Sequence, residues 1–296
     1  MDPFEVVEPS AGESPLVVEV PHAGLWIDPE SLAYTIAPAR SIARDADLHV
    51  DEICRDAPAE GATLLVARAH RFVVDLNRAE GDTDGETVEG GGRAPSPRGV
   101  VWRLTTDNDP LLAEPLPASE LERRLGAVYR PYHRALTAIL RRKVSRFGFA
   151  VLLCAHSMPS QPRPAPPGAR GPRSPAPPRP PQPFFRADLV PGTRGRTSAA
   201  AEVIDRVDAH GRTFGWSIRH DDPYRGGFST AFYGRPGAGV HAVQIEIARR
   251  LYMDETSLRI DPQGFRAVRE FARTLAARLA FAEPDAPLRR LVPEPA

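Results

Sequence analysis

The chain has 296 residues, enough for one large α/β domain or two small ones. Its 38 basic and 38 acidic residues balance, so no overall field favours nucleic acid or an anionic membrane as a partner. No apolar run approaches the roughly 18–20 residues that cross a bilayer. Because Cys54 and Cys154 make no disulfide framework and no signal peptide is evident, we expect a cytoplasmic protein.

The predicted elements alternate between strands and helices. In chain order, apolar runs and apolar spacings predict a strand at 16–20, a helix at 44–54, strands at 62–67 and 72–76, a mobile Gly-rich loop at 80–98, a helix at 117–147, a strand at 150–155, a helix at 198–214, strands at 216–219 and 240–247, and a helix at 265–281. This alternation predicts a three-layer α/β/α domain with a mostly parallel mixed sheet. Candidate functional residues run from position 22 to position 246, so we expect one domain over residues 1–296.

Residues 159–183 interrupt this order with twelve of the chain's 33 prolines and four arginines. Such a composition forms neither helix nor strand ladder and favours extended polyproline conformations. We therefore predict a disordered, solvated insertion here. Its Pro-x-x-Pro spacings also permit a docking strip for an aromatic groove.

Polar side chains end or interrupt three of the predicted buried strands. The run at 16–20 leads to His22, and the run at 150–155 leads to His156. In the last strand, side-chain alternation puts Gln244 and Glu246 on the face opposite to their apolar neighbours. A buried carboxylate is costly unless a group pairs with it. Two strand-end histidines and one strand carboxylate therefore predict a metal hydrolase along one edge of the sheet.

The motifs together resemble those of the N-formylglutamate amidohydrolase family, which is similar in fold to the zinc carboxypeptidases. Seven segments carry the resemblance in order, and they are Val20-Pro-His-Ala-Gly24, Asp47-Leu-His-Val-Asp51, Arg71-Phe-Val-Val-Asp-Leu-Asn-Arg78, Tyr129-Arg-Pro-Tyr-His133, Ala155-His-Ser-Met-Pro-Ser160, Asp222-Pro-Tyr-Arg-Gly-Gly-Phe228 and the stretch from Val240 to Glu255. Each motif alone is weak, but seven in order cover most of the chain. The resemblance implies a phosphorylase- or hydrolase-like sheet.

The resemblance implies that His22 and His156 bind a divalent metal, which we expect to be Zn²⁺. A catalytic zinc takes three protein ligands and leaves one position open. Carboxypeptidases take the third ligand three residues after the first histidine, where this chain has Leu25. The replacement would be Asp47 or Asp51, which lie four residues apart and so on one face of the predicted helix. The other aspartate would support a ligand or only cap the helix.

Glu246 resembles the general base of the carboxypeptidases. In that role it would take a proton from a water that the metal activates and deliver it to the leaving amine. The alternative is a structural carboxylate paired with Arg249 or Arg250.

The pair Asn77 and Arg78 resembles the pair with which carboxypeptidases hold a terminal carboxylate. An arginine fork matches a carboxylate through two parallel hydrogen bonds. N-formylglutamate carries two carboxylates, so Arg71 and Arg225 are further candidates. Gly226 would let the backbone approach the ligand closely. The alternative for any one of these arginines is a solvated surface side chain.

The resemblance implies metal-dependent hydrolysis of N-formyl-L-glutamate to formate and L-glutamate, a step of histidine degradation. Its partner would then be a small N-acyl amino acid, with no nucleic acid and no membrane. One alternative is an amidohydrolase that acts on another N-acyl amino acid or peptide. The other is a non-catalytic binding protein of the same fold. The sequence does not indicate an oligomeric state.

Overall fold

Six strands form one mixed sheet at the centre of the molecule. The computed structural model describes residues 1–10, 12–162 and 185–280. The strands are β1 (Phe4–Val7), β2 (Leu16–Val20), β3 (Thr63–Ala67), β4 (Ala150–Met158), β5 (Leu189–Gly192) and β6 (Val240–Ala248). Their order across the sheet is β1-β3-β2-β4-β6-β5. The predicted mixed sheet is therefore confirmed.

The four inner strands run parallel, and both edge strands run antiparallel to their neighbours. The longest pairing joins β4 and β6 over nine residues, from Ala150 opposite Val240 to Met158 opposite Ala248. Within it, His156 lies directly opposite Glu246. The carboxyl ends of β2, β4 and β6 meet at one edge of the sheet, where α/β folds bind ligands.

Helices cover both faces of the sheet. They are α1 (Pro29–Ala33), α2 (Ala39–Asp45), α3 (Val50–Cys54), α4 (Ala118–Arg124), α5 (Arg130–Phe147), α6 (Ala201–Thr213), α7 (Phe228–Tyr233) and α8 (Pro262–Ala280). Side chains of α3, α6 and α8 share one core cluster with the sheet, and side chains of α5 and α7 share the other. The three-layer α/β/α arrangement is therefore confirmed. No helix in the described ranges has both the length and the apolar character to cross a membrane.

Alternation within the strands separates the two cores. On β6, Val243, Ile245 and Ile247 lie in the core with α8, while Gln244 and Glu246 face the other side. This confirms the faces predicted from the alternating pattern. Burial of the apolar face is the main stabilising contribution and holds the polar face in place.

The single helix predicted at 44–54 is wrong. Two short helices, α2 and α3, replace it, because the backbone is extended at Ala46 and left-handed at His49. In the break, the backbone N–H of Asp47 donates to the carbonyl of His22 at 2.9 Å. Asp47 and Asp51 therefore do not share a helix face. The break instead brings Asp47 beside the end of β2.

Two predicted strands are also wrong. Residues 72–76 form turns rather than a strand, and their apolar side chains are buried in loop packing. Residues 216–219 contribute only one bridge, between Ile218 and Leu189. The edge strands β1 and β5 were not predicted. Both are four residues long, and β5 contains Pro191 and Gly192, which weaken a strand pattern.

The other long elements follow the sequence. The helix predicted at 117–147 is continuous from α4 to α5 through one π-helical turn at Leu125–Tyr129. The helices predicted at 198–214 and 265–281 are α6 and α8, and residues 80–98 hold neither helix nor strand. Of the predicted Pro-rich insertion at 159–183, residues 163–183 lie outside the described residues.

Candidate active site

A cavity of about 560 Å³ lies at the carboxyl-terminal edge of the central strands. Its lining brings together most of the residues that the sequence selected, namely His22, Asp47, Arg71, Asn77, Arg78, His156, Arg225, Gly226 and Glu246. Asp51 lies outside it. The residues come from six separate segments of the chain, so the cavity exists only in the folded sheet.

His22, Asp47 and His156 form a buried group at the base of the cavity. Their ligand atoms all lie within 4.8 Å of one another. Nδ1 of His156 is 3.0 Å from Oδ2 of Asp47, and Nδ1 of His22 is 3.6 Å from the same oxygen. The two imidazole rings lie 4.9 Å apart, centroid to centroid. Two ring nitrogens thus converge on one carboxylate oxygen.

Asp75 holds the ring of His22 from the opposite side. Nε2 of His22 donates to Oδ1 of Asp75 at 2.8 Å. The same fully buried carboxylate accepts hydrogen bonds from Arg71 and from the indole of Trp102. A carboxylate on the distal nitrogen fixes the tautomer of a histidine that binds metal through its other nitrogen. Sequence reasoning missed Asp75, although it stands two residues before Asn77 at the end of an apolar run.

The donor set fits a divalent metal such as Zn²⁺. Nδ1 of His22 is buried and accepts no hydrogen bond, which leaves its lone pair for a ligand bond. Two imidazoles and one carboxylate make up a ligand set found in catalytic zinc sites. Asp47, rather than Asp51, supplies the carboxylate in this group. Leu25, at the position where carboxypeptidases have a glutamate, is half exposed and cannot coordinate metal.

The buried guanidinium group of Arg249 contacts the carboxylate of Asp47. Its Nη2 lies 3.3 Å from Oδ1 of Asp47 and also donates to the carbonyl of Ala46, while its Nε donates to Ser157. Burial would raise the pKa of Asp47, but the hydrogen bond with His156 and the nearby imidazole of His22 outweigh burial and hold that pKa well below its usual value. The carboxylate is therefore ionised and ready to bind a cation.

Glu246 lies beside this group, buried on β6. Burial raises its pKa to about 7, and the charge of Asp47 adds to the rise, although the charge of His156 opposes it. Its Oε1 accepts a hydrogen bond from Nε2 of Gln244 at 2.9 Å. Arg249 pairs with Asp47 and Arg250 pairs with Asp188, so the alternative in which either arginine neutralises Glu246 is wrong.

Two of the arginines that face the cavity keep their guanidinium groups largely unengaged. Arg78 is half exposed, and its nearest carboxylate oxygen, on Asp82, is 4.0 Å away. Within the described residues, the guanidinium of Arg225 makes neither an ion pair nor a hydrogen bond. Arg71 differs, because its Nε and Nη2 both donate to Asp75. Arg78 and Arg225 are thus available to a carboxylate ligand.

The loop that carries Arg225 is packed tightly against the site. Gly226 has a φ of +96°, a conformation that favours glycine. A Cβ on Gly227 would lie 2.3 Å from Nδ2 of Asn77, so these two residues touch directly. The amide of Asn77 is itself engaged, since its Nδ2 lies 3.2 Å from both Nε2 of His156 and Oε1 of Gln244. Asn77 therefore braces the site.

The family model for N-formylglutamate amidohydrolase matches residues 14–253. The chain is 32% identical to N-formylglutamate deformylase of Pseudomonas aeruginosa over 266 residues, covering 89% of this chain and 90% of that protein. It is 31% identical to N-formylglutamate deformylase of Pseudomonas putida over 248 residues, covering 83% and 84%. A crystal structure of N-formylglutamate amidohydrolase from Ralstonia eutropha JMP134 superposes with a TM-score of 0.81 at 29% identity, covering 95% and 98% of the two chains. The chain therefore belongs to the N-formylglutamate amidohydrolase family.

Proposed function

We propose that this protein is a metal-dependent amidohydrolase that converts N-formyl-L-glutamate and water to formate and L-glutamate, in histidine degradation. The observation that carries the proposal is one cavity that combines His22, Asp47 and His156 with the buried carboxylate Glu246. Such a combination is typical of metal-assisted hydrolysis. The names of the curated relatives supply the substrate.

His22, Asp47 and His156 would hold the metal, with Asp75 and Arg249 fixing two of these ligands. When bound, the metal supplies a Lewis acid that polarises the formyl carbonyl and lowers the pKa of a water molecule. Zn²⁺ is the expected ion because it accepts both imidazole and carboxylate ligands in sites that keep one position open.

Glu246 would act as the general acid–base. Its carboxylate takes a proton from the attacking water and then gives a proton to the amide nitrogen as the C–N bond breaks. A pKa of about 7 suits both transfers near neutral pH, because the group can then be loaded and unloaded with little cost. Burial excludes bulk water that would otherwise exchange this proton.

Arg78 and Arg225 would bind the two carboxylates of the substrate. Both face the cavity, and neither has a close carboxylate partner within the described part of the chain. Each fork can make two parallel hydrogen bonds to one carboxylate. Arg71 also lines the cavity and adds a positive charge there. Gly226 allows the backbone to approach the ligand.

Purified protein loaded with Zn²⁺ should release formate from N-formyl-L-glutamate at stoichiometric metal content. N-formylglutamine and N-acetylglutamate serve as comparison substrates, because the first lacks the side-chain carboxylate and the second enlarges the acyl group. Faster turnover of either comparison substrate would favour another N-acyl substrate. A metal-loaded protein that hydrolyses none of them would overturn the catalytic proposal in favour of a binding protein.

A further inference from the structure

We propose that Gln244 is a positioning residue that ties the general base Glu246 to the loop carrying Arg225. This inference rests on the proposed function, because it uses the roles proposed for Glu246 and Arg225. It adds a link between the group that moves the proton and the group that reads a carboxylate.

One buried amide makes all the contacts of this link. Gln244 is 3% exposed. Its Nε2 donates to Oε1 of Glu246 at 2.9 Å, and its Oε1 accepts from the backbone N–H of Gly227 at 2.8 Å. The same oxygen lies 3.2 Å from Nδ2 of Asn77. The side chain thus joins three segments of the chain that are distant in sequence.

Glu246 depends on this amide for its orientation. The bond from Gln244 is the one hydrogen bond that the Glu246 carboxylate accepts from residues 1–10, 12–162 and 185–280. A buried carboxylate with a single donor rotates when that donor is lost. A displacement of about 1 Å at a reacting group can cost roughly 100-fold in rate.

The loop before α7 depends on the same amide from the other side. Gly227 follows Arg225 by two residues, and its N–H is fixed by Oε1 of Gln244. The loop also touches β5, since a Cβ on Gly192 would lie 2.6 Å from the nitrogen of Gly226. Gln244 and β5 together therefore help to position the backbone that carries Arg225. Gln244 is therefore the side chain that joins the loop carrying Arg225 directly to Glu246.

Two substitutions separate the two halves of the link. Gln244→Glu keeps an acceptor for Gly227 but replaces the amide donor with a second carboxyl group beside Glu246. Two such groups compete for one proton, so kcat near neutral pH should fall while KM stays near that of the wild type. Gln244→Met has a similar volume but loses both hydrogen bonds, so kcat should fall on the order of 100-fold and KM should rise. A change in KM that is the same for both variants would overturn the assignment.

A double-mutant cycle tests whether Gln244 acts through Glu246. If it does, Gln244→Met should lower kcat by less than about threefold in a Glu246→Gln background, because the group it positions is already absent. An equal loss of kcat in both backgrounds would show a general structural effect and overturn the proposal. His241→Met is the matched control, since His241 is buried on the same strand but bonds to Ala200 outside the cavity. It should leave kcat and KM unchanged.

The wild type, loaded with Zn²⁺, is assayed first on N-formyl-L-glutamate. Absence of formate release would overturn the proposed function and this inference with it. An active wild type with an additive cycle would overturn only the role of Gln244. Metal content and thermal midpoint are measured for every variant, so that a fall in kcat is compared among folded, metal-loaded proteins.

Discussion

The carboxylate of Asp47 contacts both histidines of the proposed metal group, whereas that of Asp51 lies outside the cavity. We therefore expect Asp47→Asn to lose most bound metal and Asp51→Asn to retain it. The two variants are matched in chemistry and lie four residues apart. Elemental analysis after dialysis gives the metal content. Full metal retention in Asp47→Asn would place the acidic ligand elsewhere.

The same reasoning applies to the two imidazoles. His22→Ala and His156→Ala should each lose metal and turnover while the protein remains folded, because the sheet beneath them is apolar and complete. Circular dichroism and elemental analysis check the two parts of this expectation. Either variant with stoichiometric metal and wild-type turnover would remove that histidine from the ligand set.

Glu246→Gln should retain metal and substrate binding but lose turnover. The amide keeps the shape of the side chain and an acceptor for Gln244, yet it cannot take a proton. General acid–base catalysis typically contributes about 10²–10⁴-fold, so kcat should fall by that factor while KM changes little. Steady-state formate release measures both quantities. Wild-type turnover in this variant would leave Glu246 as a structural carboxylate.

The two unengaged arginines can be assigned to carboxylates by substrate choice. Arg78→Lys and Arg225→Lys should each raise KM for N-formyl-L-glutamate with a milder effect on kcat, because lysine keeps the charge but not the two parallel bonds. With N-formylglutamine, the variant that reads the side-chain carboxylate should differ little from the wild type. If neither substitution changes KM for either substrate, these arginines do not bind the carboxylates.

The sequence predicted those site residues that interrupt an apolar strand pattern, but not those whose contacts depend on the folded chain. His22, His156 and Glu246 were found because they break the apolar patterns of buried strands. Asp75 was missed, and Arg249 was considered as a partner of Glu246 rather than of Asp47, since sequence spacing does not reveal these contacts. Gln244 was placed on the correct face, but its bond to Gly227 joins segments 17 residues apart and depends on the fold.

At the scale of elements, the loop before α7 is set by close backbone packing. Gly227→Ala would place a methyl group 2.3 Å from Nδ2 of Asn77, whose amide is held by several bonds. Either the loop or Asn77 must move, so we expect a higher KM and a lower kcat. Gly237→Ala is the control, because no atom lies within 4 Å of its added Cβ. Equal kinetics in the two variants would contradict the packing argument.

The elements that sequence predicted well are those stabilised by their own periodicity. The long α4–α5 segment, α6, α8 and the inner strands have apolar patterns that match their burial. The predicted helix at 44–54 failed because the break at Ala46 is stabilised by tertiary bonds, including that from Asp47 to the carbonyl of His22. The predicted strand at 72–76 failed because apolar residues buried in turns resemble a short strand.

At the scale of the whole molecule, the metal should add stability without being needed for folding. The ionised Asp47 is held by Arg249 and by the imidazole of His156, so its charge has protein partners of its own. Removal of metal with a chelator should therefore abolish turnover and lower the thermal midpoint by several degrees, and added Zn²⁺ should restore both. His22→Ala is the control, because its midpoint should not respond to the chelator. Loss of secondary structure on chelation would contradict this expectation.

The nine-residue ladder between β4 and β6 limits how this enzyme can vary. Because His156 lies opposite Glu246, the proposed metal ligand and the proposed base occupy adjacent strands on one face. One inserted or deleted residue in either strand would turn every following side chain to the other face. Apolar side chains would then leave the core, and the polar side chains that follow would leave the cavity. Changes of chain length are therefore confined to the surface loops, whereas these two strands can change only by substitution.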